Sequence, residues 1–253
     1  MNKQEIIRIF ADLRKSFDEA ADRAADALTA TDILPKAEYI NDLYNWDELQ
    51  ALAQSGKAAE KIAIGDRLEV YRSGKQIIFD VVKVTDSKIY LLSHYLIAQM
   101  PFDAPEPKNP DADIACYGSN NYLGSSIRQW LNSSRLNGDW WEKKTEYDKP
   151  IGCKDFLNGF MLGMDDWFID ILLSDENGDK FFLPSEDEIE EWLPNKEGRI
   201  KTYKSGEKDW YWIRTPGSGY SGYVRCVVTS GTLNYNYAYN ASGVAPACII
   251  GNL

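Results

Sequence analysis

The chain is 253 residues long, 44% hydrophobic and 26% charged; that is enough for a proper core and ordinary for a soluble globular protein. Its formal charge of −11 argues against nucleic acid, whose binders carry a basic stripe, and against an anionic membrane surface. No stretch reaches the roughly 18 apolar residues of a membrane span, so membrane insertion is not expected. The opening MNKQEIIRIFADLRK has neither the apolar region nor the cleavage pattern of a secretory signal. The expected location is the cytoplasm of synthesis, or a virion that carries the protein out.

Residues 3–28 predict a helix. Ile6, Phe10, Leu13, Phe17, Ala20, Ala24 and Ala27 fall on a heptad stripe, with charges on the other faces. Such a stripe packs either on its own domain or on copies of itself, and the second case makes a homo-oligomer. A further helix is expected near Pro35, since proline suits a first helical turn. Another starts at Asn45, where Asn45-Trp46-Asp47-Glu48 has the form of a capping box with Asn as the cap; it ends near Gly56. Residues 1–60 thus read as a helical segment without a catalytic constellation, and residues 61–253 as the main domain.

From Ile62 the hydrophobic period changes from helical to alternating. Strands are predicted over 64–71, 75–84 and 88–93, with Ser73-Gly74 as a turn, giving an antiparallel meander. His94, the only histidine, reads as structural. Residues 101–113 form a Pro- and Asp-rich loop. A helix follows over Ser125 to Asn132, capped by Ser125 or Ser126, with Ile127, Trp130 and Leu131 on one face. Trp140 and Trp141 are expected to pack beneath it. Residues 142–180 look irregular, with a strand around Trp167 to Leu173. The acidic run Asp175 to Asp179 raises the question of calcium, but it lacks the later EF-hand ligands and reads as a turn of solvated charges. Ser185 and Glu188 form a second capping box, opening a short helix that buries Ile189 and Trp192.

The four cysteines, Cys116, Cys153, Cys226 and Cys248, are widely spaced, with no CxxC and no Cys/His cluster. No zinc site, other metal or cofactor is expected. Cys226 and Cys248 lie in apolar, strand-like runs, either as buried free thiols or as a bridge.

The C-terminal stretch is unlike the rest. From Gly217 to Gly243 almost every residue is Gly, Ser, Asn or Tyr, interrupted by Val224 to Val228, with no acidic residue and Arg225 as the lone base. Binding loops favour this set, because Tyr gives large amphipathic contact at low entropy cost while Ser, Gly and Asn give adaptable hydrogen bonds. The candidate ligand-binding residues are Ser218, Tyr220, Ser221, Tyr223, Asn234, Tyr235, Asn236, Tyr237, Tyr239, Asn240 and Ser242. In an extended segment Tyr235, Tyr237 and Tyr239 would face one way and Asn234, Asn236, Ala238 and Asn240 the other. Either the Tyr row is displayed, or it packs on the core and only the Asn row is exposed. Trp212, Ile213, Pro216, Val224, Cys226, Val228, Val244, Pro246 and Ala247 read as scaffold.

The order of short motifs carries a resemblance. Ile64-Gly65-Asp66 and Leu91-Leu92-Ser93 are followed by Ser125-Ser-Ile-Arg-Gln-Trp-Leu-Asn132, then by Phe182-Leu-Pro-Ser185 with Glu188. Tyr211-Trp-Ile-Arg-Thr-Pro-Gly-Ser218 and Gly243-Val-Ala-Pro-Ala247 close the series. Over about residues 62–250 this resembles a bacterial and phage family with a C-type-lectin-like fold, related to formylglycine-generating enzymes. The resemblance implies an α+β domain of antiparallel sheets and short helices, preceded by the N-terminal helical segment. Ala245 stands where that family usually has Arg, so an ion pair made there by other members is not expected here. The enzymatic relatives bind copper through a closely spaced cysteine pair, which Cys226 and Cys248 do not reproduce; no catalytic residue is assigned. Several proteins of this fold are the variable proteins of diversity-generating retroelements, and the Asn/Tyr/Ser/Gly enrichment resembles their diversified segment. The function implied is ligand binding, of a receptor or adhesin kind, with a protein or a glycan as partner. A structural subunit of a phage or cell-surface assembly is the second expectation, and an oxidase related to the formylglycine-generating enzymes the third.

Overall fold

The computed structural model describes residues 39–152 and 156–251. The predicted helix over residues 3–28, its oligomerisation stripe, the expected start at Pro35 and Cys153 all lie outside the described residues.

Three short helices come first: α1 (Ile40–Leu43), α2 (Trp46–Gln54) and α3 (Ala58–Lys61). The capping box of α2 forms as the sequence predicts, with the Asn45 side chain accepting from the Glu48 N–H and the Glu48 carboxylate accepting from the Asn45 N–H. These helices are not an appendage. Ile40, Leu49 and Ala58 are buried in the same core as the strands, and Trp46 stacks on Trp167 with ring centroids 3.5 Å apart. The domain therefore begins before the expected boundary at residue 61, because the apolar face of α2 packs on that core.

The meander follows as β1 (Arg67–Arg72), β2 (Lys75–Val84) and β3 (Lys88–Ser93), paired antiparallel in sequence order. After β4 (Ala98–Pro101) come α4 (Ala112–Tyr117), a 3-10 turn (Tyr122–Gly124) and α5 (Ser126–Leu131). Ser125 is the cap of α5 and accepts from the Arg128 N–H; Ile127, Trp130 and Leu131 are buried, as their shared face requires. The buried Trp140 donates its indole N–H to the Phe156 carbonyl at 2.5 Å, and Phe156 meets Trp130 edge-on at 5.1 Å. The loop expected over 101–113 ends in α4, whose cap is Asp111 accepting from the Asp113 and Ile114 N–H groups.

The strand expected around Trp167 to Leu173 is instead a helix, α6 (Asp166–Ile171), with only Leu172–Leu173 extended as β5. Phe168 and Ile171 face the core at helical spacing; a short apolar run satisfies both periods, and packing against α2 selects one. Then come α7 (Glu186–Trp192), with the full Ser185/Glu188 capping box and Ile189 and Trp192 buried, and α8 (Lys196–Arg199). The strands β6 (Tyr211–Pro216), β7 (Tyr223–Val227), β8 (Leu233–Tyr237), β9 (Ala241–Val244) and β10 (Ala247–Gly251) complete the chain.

Two five-stranded sheets result, ordered β1-β2-β3-β10-β5 and β4-β9-β6-β7-β8. All named pairs are antiparallel except β6 with β9, which meet in parallel at Tyr211 and Gly243. Gly243 donates its N–H to the Trp210 carbonyl at 2.7 Å. A Cβ there would sit 2.8 Å from that same oxygen, so this approach requires glycine. The α+β class with antiparallel-rich sheets and short helices is thus as expected.

Arg214 on β6 joins the second sheet to the helices. Its guanidinium donates to the Leu183 carbonyl at 3.1 Å, pairs with Glu188 at 3.0 Å and Asp175 at 3.9 Å, and lies over the Phe182 ring. Arg128 pairs with Asp179 at 2.6 Å. The acidic run is therefore not a turn of solvated charges: the Asp175 and Asp179 side chains are 5% and 6% exposed and face arginines. His94 hydrogen-bonds the Asp80 carboxylate through Nδ1 at 2.7 Å. Replacing Arg214 by Met keeps its bulk but leaves Glu188 and Asp175 without their cation. Urea unfolding of Arg214→Met should show a loss of about 3 kcal/mol.

Candidate functional site

The strands β7 and β8 are in register, with Tyr223 opposite Tyr237, Arg225 opposite Tyr235, and Val224 opposite Asn236. Directly opposed residues share a face, so the alternation of β7 fixes that of β8. Val224 and Cys226 are fully buried, which turns their opposites Asn236 and Asn234 to the core-side face at the sheet edge. The Tyr side chains go to the outer face. The Tyr row is thus displayed, and the alternative in which it packs on the core does not hold.

The rings pack on one another. Tyr220 meets Tyr223 edge-on at 5.2 Å, and Tyr223 meets Tyr235 edge-on at 4.9 Å and stacks on Tyr237 at 4.6 Å. Tyr237 stacks on Tyr117 at 4.1 Å, and Tyr239 lies 6.1 Å from Tyr117. Each such pair contributes about 0.5–1.5 kcal/mol beyond area burial. The cluster therefore orders side chains that would otherwise have to be frozen on binding. Tyr220, Tyr235 and Tyr239 remain 58%, 53% and 41% exposed.

The Tyr223 hydroxyl donates to that of Tyr237 at 2.9 Å, and this bond pushes the Tyr223 phenol up to about 12. Charge repulsion from Tyr237 raises Tyr117 as well. Both phenols stay neutral at ordinary pH, so they offer ring surface and hydroxyl groups without charge.

Around this cluster the polar candidates take different parts. The Ser221 hydroxyl donates to Asp111 at 2.6 Å, and Ser218 is exposed on the same loop. Asn236 accepts from the Asn240 amide at 2.7 Å, and Asn234 accepts from the Tyr235 N–H; these bonds shape the turn and the strand edge. Ser242 does not join the displayed surface. It lies in β9 opposite Met100 and is 1% exposed, because its strand is interior to the second sheet. Among the scaffold residues, Trp212, Ile213, Val224, Cys226, Val244, Pro246 and Ala247 are buried, whereas Pro216 is exposed and Val228 half-buried. Ala245 is fully buried.

Tyr117 was not among the sequence candidates, yet it stacks at the centre of the cluster. Its own context, Tyr117-Gly-Ser-Asn-Asn-Tyr122, has the same Tyr/Gly/Ser/Asn composition as the C-terminal loops, and that was the available signal. The two stretches meet directly: Asn120 donates its N–H to the Ser221 carbonyl at 2.8 Å and its amide to the Tyr220 carbonyl at 3.0 Å. Gly222 permits the contact, since a Cβ there would lie 2.8 Å from the Tyr117 Cβ and 3.0 Å from the Asp113 carbonyl oxygen. Arg225 is held by Glu186 through two hydrogen bonds from its guanidinium.

Cys226 and Cys248 are free and fully buried rather than bridged. Burial pushes the Cys226 thiol up to about 12 and raises Cys248 as well, so neither is disposed to act as a thiolate. Among the described residues, no group of three His, Cys, Asp or Glu side chains is placed to hold a metal ion. No helix among them is long and apolar enough to cross a membrane.

Asp103 supports the site from below. The Phe102 and Asp103 N–H groups both donate to the Ala238 carbonyl, at 2.8 and 3.1 Å, pinning the turn after β8. The Asp103 carboxylate accepts from the N–H and hydroxyl of Ser126 at 3.2 and 2.8 Å, yet burial pushes its carboxyl up to about 7. The folded chain therefore holds a proton between about pH 4 and 7 that the unfolded chain has released. Through this group stability is greatest below about pH 4, falls as pH rises to about 7, and is flat above. Thermal melts of the wild type and Asp103→Asn at pH 5 and pH 8 should show this loss, no more than about 4 kcal/mol, in the wild type and not in the variant.

No curated protein and no solved structure matches the chain. Residues 80–252, from within β2 to the end of β10, match the family described as a domain of unknown function, DUF6273. The match takes in both sheets except β1 and the start of β2, and every tyrosine of the cluster; the chain belongs to the DUF6273 family.

Proposed function

We propose that the protein binds a ligand in the manner of a receptor or adhesin, displaying its C-terminal tyrosine surface on a C-type-lectin-like scaffold. The observation that carries this reading is the outward stack of Tyr117, Tyr220, Tyr223, Tyr235, Tyr237 and Tyr239, pre-ordered by ring contacts and still half open to solvent. Exposed, rigid aromatic surface has no use in a monomer's stability that buried surface would not serve better. The fold side of the proposal is supported by the two antiparallel-rich sheets and by the C-terminal strand returning to the interior of the first.

The partner is a protein or a glycan. Rings without charge, edged by Asn and Ser, suit sugar faces and protein surfaces alike. They do not suit nucleic acid, given a chain charge of −11. On this reading the protein is not a catalyst; the buried, protonated state of Cys226 and Cys248 argues against an oxidase that works through a copper-binding cysteine pair. We further propose that the segment is diversified by a retroelement. The variable-looking Tyr, Ser and Asn positions lie beside buried scaffold positions such as Val224 and Cys226 on the neighbouring strand, which would let the surface change while the core stays fixed.

A second reading has its own observation. β8 is the edge of its sheet, so its outer backbone groups and Tyr235 could serve assembly instead. The two readings separate in the triple variant Tyr220→Ser, Tyr235→Ser, Tyr239→Ser. These rings are the exposed ones, so urea unfolding should show a loss of less than about 2 kcal/mol. Light scattering should show an unchanged oligomer, and signals on a glycan array or on labelled bacterial cells should disappear. Dissociation of an oligomer on the same substitutions would favour assembly. For diversification, the downstream genome should hold a near-copy of codons 210–250 differing at adenines, beside a reverse transcriptase gene.

A further inference from the structure

A cavity of about 540 Å³ shares no residue with the tyrosine surface. It lies between the β1–β2 turn, the segment after β3, the Trp130 face of α5 and the chain around Tyr203 to Ser205. Its walls are apolar: Ile77, Leu96, Ile97, Trp130 and Phe160 line it. This volume falls in the range of small-molecule sites, which are apolar with a few placed polar groups.

The charges at this cavity depart from those of the chain. The protein carries 39 acidic residues against 28 basic ones, yet among the described residues the lining holds Arg72, Lys75 and Lys204 and no carboxylate. Arg72 donates Nε to the Phe160 carbonyl at 2.6 Å and Nη2 to the Gly159 carbonyl at 3.0 Å. Its guanidinium lies 5.4 Å from the Phe160 ring centroid. Among the described residues no carboxylate pairs with it, and Nη1 makes no hydrogen bond. Among the described residues Lys204 bonds only the carbonyl and side-chain oxygens of Gln76, and Lys75, exposed at the rim, forms no ion pair with any of them. Carbonyl contacts fix the position of a guanidinium without neutralising it. A second cavity of about 550 Å³ shares Arg72, Ile97 and Trp130 as a common wall, so Arg72 stands between the two spaces.

We propose that this cavity binds a small amphiphilic organic anion, an aryl or alkyl carboxylate or phosphate. Its anionic group meets Arg72, with Lys75 and Lys204 at the rim. Its apolar body lies against Ile77, Leu96 and Trp130. Arg72 is held in place before the ligand arrives, so the charge-assisted bond from Nη1 costs little ordering.

The test uses the full chain and three probes, 2-naphthoate, decanoate and phenyl phosphate, each read by calorimetry and by Trp fluorescence. At least one should bind with Kd below about 1 mM. The uncharged amide or alcohol of the same body should bind at least about tenfold more weakly. Arg72→Gln should abolish that preference for the anion. Because Arg72 also holds the segment at Gly159 and Phe160, a second variant, Lys75→Gln with Lys204→Gln, alters only exposed side chains. It should weaken the anion about two- to fivefold and flatten the salt dependence, with an unchanged melting temperature. The triple tyrosine variant should bind the probes like the wild type. The proposal is overturned if none of the three probes binds below about 5 mM, if anion and neutral analogue bind equally, or if the lysine variant binds the anion with wild-type affinity and salt dependence.

Discussion

The constraint on which the structure depends is the return of the last strand to the interior of the first sheet. β10 lies between β3 and β5, and all five of its residues are buried. The chain leaves this sheet after Ser93, adds the edge strand Leu172–Leu173, and returns to the sheet's interior only at Ala247. Between β9 and β10 there are just two residues, Ala245 and Pro246, both buried. The Pro246 carbonyl accepts from the Ser93 N–H and the Val244 carbonyl from the Ile97 N–H, each at 2.9 Å. The crossing from one sheet to the other is therefore tied on both sides to the crossing made earlier after β3. With so short a link there is no slack, and the second sheet is fixed against the first.

That fixed second sheet is what makes an outward tyrosine surface affordable in energetic terms. Trp212 is fully buried and donates its indole N–H to the Met100 carbonyl at 2.9 Å, while Tyr211 bonds the Arg199 carbonyl through its hydroxyl. Arg214 fastens the same strand to the α7 cap. β6 thus carries the core side and the ion-pair side together, and β7 and β8 extend beyond it as a ledge. The tyrosines on that ledge contribute to stability mainly by packing on each other and on Tyr117. Their outer faces remain free, and substitutions among them need not disturb the strand that supports them.

The cationic cavity and the tyrosine ledge use opposite physical means. The ledge is neutral, broad and built from rings, and it would gain affinity through contact area. The cavity is a concave, largely apolar space with a positioned guanidinium that no carboxylate among the described residues neutralises, and it would gain specificity from charge. Both rest on carbonyl contacts of loops that the two sheets hold in place: Gly159 and Phe160 for Arg72, Ala238 for the turn after β8.

Local order was legible wherever a local interaction suffices. Both capping boxes, the bounds of β2 and β3, the buried face of α5 and the alternation of Tyr235 and Tyr237 follow from residue spacing, because hydrogen bonds and periodicity within a few residues decide them. The helix at Asp166 to Ile171 was not legible, since its apolar run fits either period and only contact with α2 chooses. The burial of Asp175 and Asp179 likewise needed arginines that stand far away in sequence. Ser242 shares the composition of the displayed residues but lies on an interior strand. The sequence by itself determined which residues alternate and which loops are rich in Tyr, Asn and Ser. Only the tertiary structure decided which face of β8 looks outward, because that depends on Val224 and Cys226 of the neighbouring strand being the side chains the core takes in.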